Sequence, residues 1–289
     1  MSQELRNAAL PPPRGTAVTA RRPLPLQVSV VMPCHQRLRS LERAVRSVLA
    51  SADSVPGEVE IILVDDCSPV PIEAALRTVL NDARVSVLRH VQNRGPAAAR
   101  NTGIARAKFD LVLFTDDDVV VDPAWIERLA RYLRDAPPRV AGVGGRVRAM
   151  GTDVYSRYFE YHHILDPFRM DDGRVLYIVT ANCGYRRHVL QQVGGFDEGV
   201  RSPGGEDPGL AFKVAGAGYE LHIVEEAIVH HDFRLGLRDF FRTFHRYGMG
   251  CRHQVEHHWK GFASSVMQKG SDLATFGGQR VAVGDEPQS

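Results

Sequence analysis

Leu111-Val-Leu-Phe-Thr-Asp-Asp-Asp118 is an apolar, strand-like run that ends in three adjacent carboxylates. Because side chains alternate along a strand, Asp116 and Asp118 are predicted to face one side and Asp117 the other. Adjacent carboxylates repel one another and favour a positive partner. Hard divalent cations such as Mn²⁺ or Mg²⁺ take oxygen ligands and often share them with phosphates. The triplet therefore predicts a site for a metal ion and a diphosphate.

An alternative role for the triplet is a solvated acidic turn that caps the following helix. That helix is predicted from Trp125 to Leu133 by its apolar spacing. Asp122 and Pro123 already supply an N-cap and a first-turn proline for it. Capping does not need the triplet, so the metal site is favoured.

The same run belongs to a β-α-β alternation. Apolar strands at 28–32 and 61–64 enclose a helical pattern at 38–49, and a strand at 85–88 and a helix after Pro96 lead to the triplet. This order predicts an α/β fold with a Rossmann-like, mainly parallel central sheet and helices on both faces. Ligands of such sheets gather at the carboxyl ends of the strands.

Length and composition favour a globular protein. The chain has 289 residues, 44% of them hydrophobic, and a formal net charge of +2. These values argue against disorder and against nucleic acid as a partner. The four cysteines lack C-x-x-C spacing, which argues against a zinc site. Without a membrane-length apolar run or a signal peptide, we expect a cytoplasmic protein. Residues 1–26 are predicted to be a flexible tail.

Five segments, in this order, resemble the family-2 glycosyltransferases of the GT-A fold. The likeness covers about residues 27–232. It implies a nucleotide-sugar-binding half at 27–125 and an acceptor-binding, catalytic half at 126–232. The segments are Val28 to Pro33, Leu63-Val-Asp-Asp66, Asn93 to Gly103, Phe114-Thr-Asp-Asp-Asp118, and Gly194-Gly-Phe-Asp-Glu198 followed by Gly205-Glu-Asp207.

The resemblance implies roles at the donor. Pro33 and Asp66 would contact the nucleotide base, and Arg100 would lie near the base and the diphosphate. Asp116 would touch the ribose and Asp118 would hold Mn²⁺ or Mg²⁺. Asp117 lies between them, so Asp116 remains an alternative metal ligand and Asp117 an alternative donor contact.

Elementary chemistry supports two of these roles. A carboxylate accepts a hydrogen bond from the imide N–H of uracil and is poorly matched to the ring nitrogen of adenine, so Asp66 favours a UDP-sugar. Thymidine presents the same edge. The alternative for Asp66 is a plain turn before Ser68-Pro69. Arg100 lies near the start of a helix, where the dipole favours an anionic diphosphate.

The segment Gly204-Gly-Glu-Asp-Pro208 is a second acidic site. Inverting transfer needs a base opposite the leaving diphosphate. The resemblance points to Asp207 as that base, with Glu206 second. A purely structural role is also consistent with the residue types, because Asp207 is a good N-cap and Pro208 a good first helical residue.

His230 and His231 follow a short apolar strand. The resemblance implies that a histidine here completes the coordination of the metal, and His230 is favoured. Strand periodicity alone does not choose between the two, and a hydrogen-bonded structural histidine is the alternative.

Residues 233–262 form a basic, aromatic segment, with arginine at every fourth position from 234 to 246. This spacing predicts an amphipathic helix. It would pack across the catalytic domain with its arginines in solvent. The alternatives are peripheral contact with an anionic membrane, contact with the donor diphosphate, or a homo-oligomer contact. Residues 263–289 are predicted to be a mobile tail.

Together these features predict an inverting, metal-dependent glycosyltransferase that transfers a sugar from a nucleoside-diphosphate donor to the hydroxyl of an unknown acceptor. One alternative is a haloacid-dehalogenase-like phosphatase, since 116–120 also fits D-x-D-x-V, although that motif normally ends the first strand. A nucleotidyltransferase should carry a glycine-rich loop after the first strand, and 34–40 has no glycine. A catalytically inactive GT-A scaffold is the non-enzymatic alternative.

Overall fold

The computed structural model describes residues 25–76, 81–169, 175–233, 236–267, 273–276 and 279–282. Its first half alternates strands and helices as the apolar spacing predicts. In order, these are β1 (Leu26–Cys34), α1 (Leu38–Asp53), β2 (Gly57–Asp65), α2 (Ile72–Ala75), β3 (Val85–Arg89), α3 (Pro96–Arg106) and β4 (Leu111–Phe114).

The second half is less regular. Its elements are β5 (Val119–Val121), α4 (Trp125–Asp135), β6 (Val140–Ala149), α5 (Val154–Tyr161), β7 (Phe168–Arg169), β8 (Val175–Tyr177), a 3₁₀ turn (Thr180–Asn182), β9 (Cys183–Arg186), α6 (Arg187–Gln192), α7 (Glu206–Gly216), β10 (Glu220–His231), α8 (Leu237–Met267), β11 (Leu273–Phe276) and β12 (Gln279–Ala282).

One eight-stranded sheet spans both halves, in the order β3-β2-β1-β4-β9-β6-β10-β5. The four strands of the first half run parallel, and β10 runs parallel to β6. β9 is inserted antiparallel between β4 and β6, and β5 forms an antiparallel edge. The prediction of a mainly parallel sheet is confirmed.

The core lies in two layers, one on each face of the sheet. In strand β1, the buried residues Val28, Val30 and Met32 face one layer and Val31 faces the other. The buried stripes of α1 and α4 complete the first layer, and α3, α6 and α7 complete the second. Helices therefore cover both faces, as predicted, and the carboxyl ends of β1, β2 and β4 meet at one edge.

The two ends of the chain are described only in part. The predicted tail at 1–26 lies outside the described residues apart from its last two, and Leu26 already begins β1. α8 continues past residue 262 to Met267, and the short strands β11 and β12 pair antiparallel in the segment where the sequence predicts a mobile tail. Among the helices described, none is both long and apolar enough to cross a membrane.

Candidate functional site

The acidic triplet lies in a turn. β4 ends at Phe114, and residues 115–118 connect it to β5. Side chains in a turn do not alternate, so the prediction that Asp116 and Asp118 share one face is wrong. Asp116 contacts Arg100, whereas Asp117 and Asp118 both lie near Arg37.

Arg100, on α3, connects the two acidic motifs. Its Nη2 donates to Asp116 Oδ1 at 2.7 Å, and its Nη1 donates to Glu206 Oε1 at 3.2 Å. The residue is only 3% exposed. Burial disfavours its charge, but Asp116 and Glu206 outweigh burial and raise the pKa of the guanidinium. Arg100 thus joins the acidic triplet to the motif that contains the predicted base.

Asp117 is anchored rather than free. Its Oδ2 accepts a hydrogen bond from the backbone N–H of His35 at 3.0 Å, just beyond the end of β1. Burial raises the pKa of Asp117 to about 6, and Arg37 opposes that rise. This carboxylate fixes the β1–α1 connection against the triplet.

Asp118 has a cation on one side and an imidazole on the other. Its Oδ2 forms an ion pair with Arg37, and its Oδ1 lies 3.5 Å from His231 Nε2. Burial lowers the pKa of His231 to about 4, so the imidazole is neutral at pH 7. His231 Nδ1 is buried and has no hydrogen-bond partner among the described residues.

His230, the favoured metal ligand in the sequence, is turned away from the triplet. Its Nε2 lies 3.2 Å from Asp122 Oδ1, and its side chain is 42% exposed. β10 pairs with β5 so that His231 lies opposite Val119, the residue after Asp118. Strand alternation then directs the two histidines to opposite faces. The histidine beside Asp118 is therefore His231, whereas the sequence favours His230 as the metal ligand.

Asp66 lies at the carboxyl end of β2 and ties two loops together. Its Oδ1 accepts from the Arg94 N–H at 2.9 Å, and its Oδ2 accepts from the Gly95 N–H at 2.7 Å. His90 Nδ1 lies 2.7 Å from Oδ1. Three of the roughly four acceptor positions of the carboxylate are therefore used. One acceptor position of the carboxylate is left over in the described part of the chain.

Pro33 lies at the end of β1, where its missing N–H costs no ladder hydrogen bond. β4 pairs with β1 only up to Val31, which lies opposite Phe114. Pro33 is paired only on the side of β2, where it lies opposite Val64. Because proline is tolerated at such unpaired positions, it ends the central ladder at the edge where ligands of this sheet type bind.

The second acidic motif begins α7 two residues earlier than its residue types indicate. The helix starts at Glu206, and Gly205, with φ 95°, is its N-cap. The expectation that Asp207 is the N-cap and Pro208 the first helical residue is wrong, because the left-handed glycine reverses the chain first. A Cβ on Gly205 would lie 2.5 Å from the backbone of Gly250, so α8 crosses this loop in close contact.

The two carboxylates of this motif have different surroundings. Glu206 is engaged on both oxygens, by Arg100 and by the Gly204 N–H at 2.6 Å. Asp207 Oδ2 accepts from the Thr180 N–H at 3.2 Å, while its Oδ1 is buried with no partner in the described part of the chain. Burial, reinforced by Glu206, raises the pKa of Asp207 to about 7. Of the two, Asp207 is available for proton transfer near neutral pH.

Two residues of the site, Arg37 and Asn101, are not singled out by the sequence analysis. No motif around Arg37 in the sequence indicates a role at this site. Its contact with the triplet is visible only in the folded chain. Asn101 donates to Phe196 O at 3.0 Å and accepts from the Phe196 N–H at 2.8 Å, so it holds the 194–198 loop against α3. Its position inside the 93–103 segment is the one signal that could have revealed it.

Comparison with known proteins identifies the family. The model of glycosyl transferase family 2 matches residues 29–194, more than half of the chain. The chain belongs to this family. The predicted resemblance is confirmed, and the phosphatase alternative is wrong. A pre-mycofactocin glycosyltransferase of Mycobacterium tuberculosis is 33% identical over 254 residues, covering 86% of this chain and 51% of the relative. The chain thus spans about half the length of that relative.

Solved structures of the GT-A type share the fold. A Pyrobaculum calidifontis mannosyltransferase with GDP-Man and Mn²⁺ matches at TM-score 0.62 and 19% identity, covering 86% of this chain and 66% of that one. S. aureus TarS 1-349 with UDP-GlcNAc matches at TM-score 0.59 and 17% identity, covering 84% and 73%. At these identities the likeness establishes the fold.

Proposed function

We propose that this chain is an inverting, metal-dependent glycosyltransferase that transfers a sugar from a UDP-sugar to an acceptor hydroxyl. The observation that carries the proposal is the bridge from Asp116 through Arg100 to Glu206, next to Asp207. It places a donor-type acidic motif and an available buried carboxylate around one arginine. Such convergence of charged groups with shifted pKa values is typical of catalytic sites.

The donor base is assigned to the edge formed by Pro33 and Asp66. Asp66 keeps one acceptor position, which suits a single imide N–H such as that of uracil. Neighbouring folds bind GDP-Man in one case and UDP-GlcNAc in another, so the fold alone does not select the base. The preference for uridine rests on the chemistry of Asp66.

The residues around Asp118 suit a divalent cation. The carboxylates of Asp116 and Asp118 offer hard oxygen ligands, and the neutral imidazole of His231 offers a nitrogen. The site already accommodates a positive group, Arg37. No three acidic, histidine or cysteine side chains of the described chain are close enough to form a complete metal cluster. Asp118 and His231 would hold Mn²⁺ or Mg²⁺ together with the donor, and a bound cation would offset charge on the departing diphosphate.

Asp207 is proposed to act as the general base. The acceptor oxygen attacks the anomeric carbon and forms a new C–O bond while the bond to the diphosphate oxygen breaks. The acceptor proton passes to Asp207 Oδ1, and the bonding electron pair leaves with the diphosphate. A pKa near 7 suits a base that works close to neutral pH. Attack from the side opposite the leaving group gives inversion.

Ligand binding and product release test this function together. Thermal shift with UDP, GDP, ADP and dTDP, each with and without Mn²⁺, identifies the nucleotide, because a ligand of the native state raises apparent stability. We expect the largest Mn²⁺-dependent shift with UDP.

Release of UDP from UDP-sugars, measured with Asp207→Asn as the matched control, tests turnover. Stabilisation by no nucleoside diphosphate would contradict the function, and binding without turnover would favour the inactive scaffold.

A second proposal concerns the surface shared by α5 and α8. These helices pack through Tyr158 and Phe240, whose ring centroids are 5.2 Å apart. Next to this contact Tyr161, Leu237 and Phe241 are 80%, 62% and 64% exposed. We name these five residues the α5–α8 surface. On α5 and the first two turns of α8, the exposed charged residues are three arginines and two acids: Arg157, Arg238, Arg242, Glu160 and Asp239. Positive charge is therefore in excess there. Aromatic and aliphatic groups beside arginines suit an anionic membrane surface, so we propose peripheral attachment to a membrane there.

A further inference from the structure

Arg37 occupies the side of Asp118 where a metal ion would bind. It is the residue before α1, and its side chain is 55% exposed. Its Nη1 forms an ion pair with Asp118 Oδ2 and lies 4.0 Å from Asp117 Oδ1. The guanidinium therefore reaches two of the three carboxylates of the triplet from the solvent side.

The other carboxylates of the triplet have partners of their own, and Arg37 is the cation paired with Asp118. Asp116 is balanced by the buried Arg100 at 2.7 Å. Asp117 accepts the His35 N–H. His231, the other neighbour of Asp118, has its Nε2 3.5 Å from Asp118 Oδ1, whereas Arg37 pairs with Oδ2. Among the described residues, the arginine or lysine in ion-pair contact with Asp118 is thus Arg37.

We propose that Arg37 is a positioning residue that occupies the cation position in the donor-free protein and moves from Asp118 to the diphosphate when the metal ion and the nucleotide bind. This inference rests on the proposed function. A divalent cation that takes Asp118 Oδ2 as a ligand competes with the guanidinium for the same oxygen. The exposed Arg37 side chain has solvent on one side, so it can leave without disturbing the core.

The competition predicts opposite effects on two binding steps. Metal ion alone must displace Arg37 from Asp118, which weakens its binding. Once a diphosphate is present, the released guanidinium can form charge-assisted, bidentate hydrogen bonds with phosphate oxygens. Arg37 would therefore weaken the binding of the metal ion alone and strengthen the binding of the metal ion together with its nucleotide. Such a residue makes the two ligands bind cooperatively, and the coupling is reciprocal.

Arg37→Gln separates the two steps. In calorimetric titrations we expect Mn²⁺ alone to bind the variant about two- to fivefold more tightly, which is the scale of an exposed ion pair. We expect UDP, titrated at saturating Mn²⁺, to bind about tenfold more weakly, since one charge-assisted contact is lost. The matched control is Arg39→Gln, which removes the same charge from an exposed position two residues further along α1. Neither affinity should change in the control.

The outcomes are distinct. If Mn²⁺ binds Arg37→Gln no more tightly than the parent, Arg37 does not compete for the cation position and the inference is overturned. If both affinities fall in parallel, Arg37 is an ordinary donor contact, which also overturns it. If the parent chain binds neither Mn²⁺ nor UDP, the proposed function itself fails. Melting curves confirm that each variant is folded.

Discussion

Arg100 donates to Asp116 at 2.7 Å and to Glu206 at 3.2 Å, and so links two motifs that lie 90 residues apart in the chain. The contact with Glu206 is screened from water, because Arg100 is 3% and Glu206 4% exposed. A buried charge is tolerated only when it is paired. The acidic triplet and the 204–208 motif therefore stabilise one another through a single side chain.

Arg100→Met should destabilise the fold by about 3–5 kcal/mol, the usual cost of leaving a buried charge without its partner. Urea unfolding measures this change. Arg106→Met, an exposed arginine in the last turn of the same helix, should change stability by less than about 0.5 kcal/mol. Equal effects of the two substitutions would show that the buried bridge has no special role.

His231→Gln should weaken Mn²⁺ binding in the presence of UDP by at least about tenfold, since even groups that only orient a ligand contribute that much. His230→Gln is the matched control, because the structure directs that side chain toward Asp122. Calorimetric titration of both variants decides between the histidines. A loss confined to His230→Gln would restore the assignment made from sequence.

The sequence predicts the sheet and its ligand edge well, because long apolar strands and a strong helical period mark β1, α1, β2 and α4. It misses β9, whose four residues Cys183–Arg186 include a glycine and carry no alternation. The antiparallel strand inside the sheet could therefore not be predicted from local pattern.

At the site, the sequence identifies the right segments but misplaces individual side chains. Strand alternation predicts one shared face for Asp116 and Asp118, but β4 stops at Phe114. The residue types predict that α7 starts at Pro208, but the close approach of Gly205 to α8 sets its start at Glu206. Both errors have one cause, since contacts between distant segments override local preferences.

Asp207→Asn should lower the single-turnover transfer rate by about 10²–10⁴-fold, the typical contribution of a general base, with donor affinity nearly unchanged. In the parent chain the rate should rise with pH up to about 7, following the raised pKa of Asp207, and the variant should lack this rise. Glu206→Gln is the contrasting variant, because it loses the Arg100 contact and should lower the melting temperature instead.

The same pKa shift predicts how stability depends on pH. The folded chain holds the Asp207 proton up to about pH 7, whereas an unfolded aspartate releases it near pH 4. Between these values the folded state binds more protons, so this group makes stability fall as pH rises. Asp207→Asn should therefore gain in melting temperature relative to the parent as pH increases from 4 to 8. A constant difference across that range would contradict the shift.

Replacing both Leu237 and Phe241 with Ser should lower co-sedimentation with phosphatidylserine vesicles by about tenfold, because two exposed apolar anchors are lost. Added salt should weaken binding of the parent chain, since exposed arginines are screened. Val91→Ser, at a 98% exposed position, is the matched control. Binding to no vesicle, together with a concentration-dependent dimer that the double variant abolishes, would assign the surface to a second copy instead.

Calorimetric titration of UDP in the presence of Mn²⁺, for the parent chain and for Asp118→Asn, tests the proposed donor site most directly. Asparagine keeps the size of the side chain but removes the charge that a metal–diphosphate site needs. We predict Mn²⁺-dependent binding of UDP to the parent chain and its loss in Asp118→Asn, with an unchanged melting temperature in the absence of ligand. Equal, Mn²⁺-dependent affinity of UDP for both chains would contradict the assignment of Asp118 to the metal and, with it, the proposed donor site.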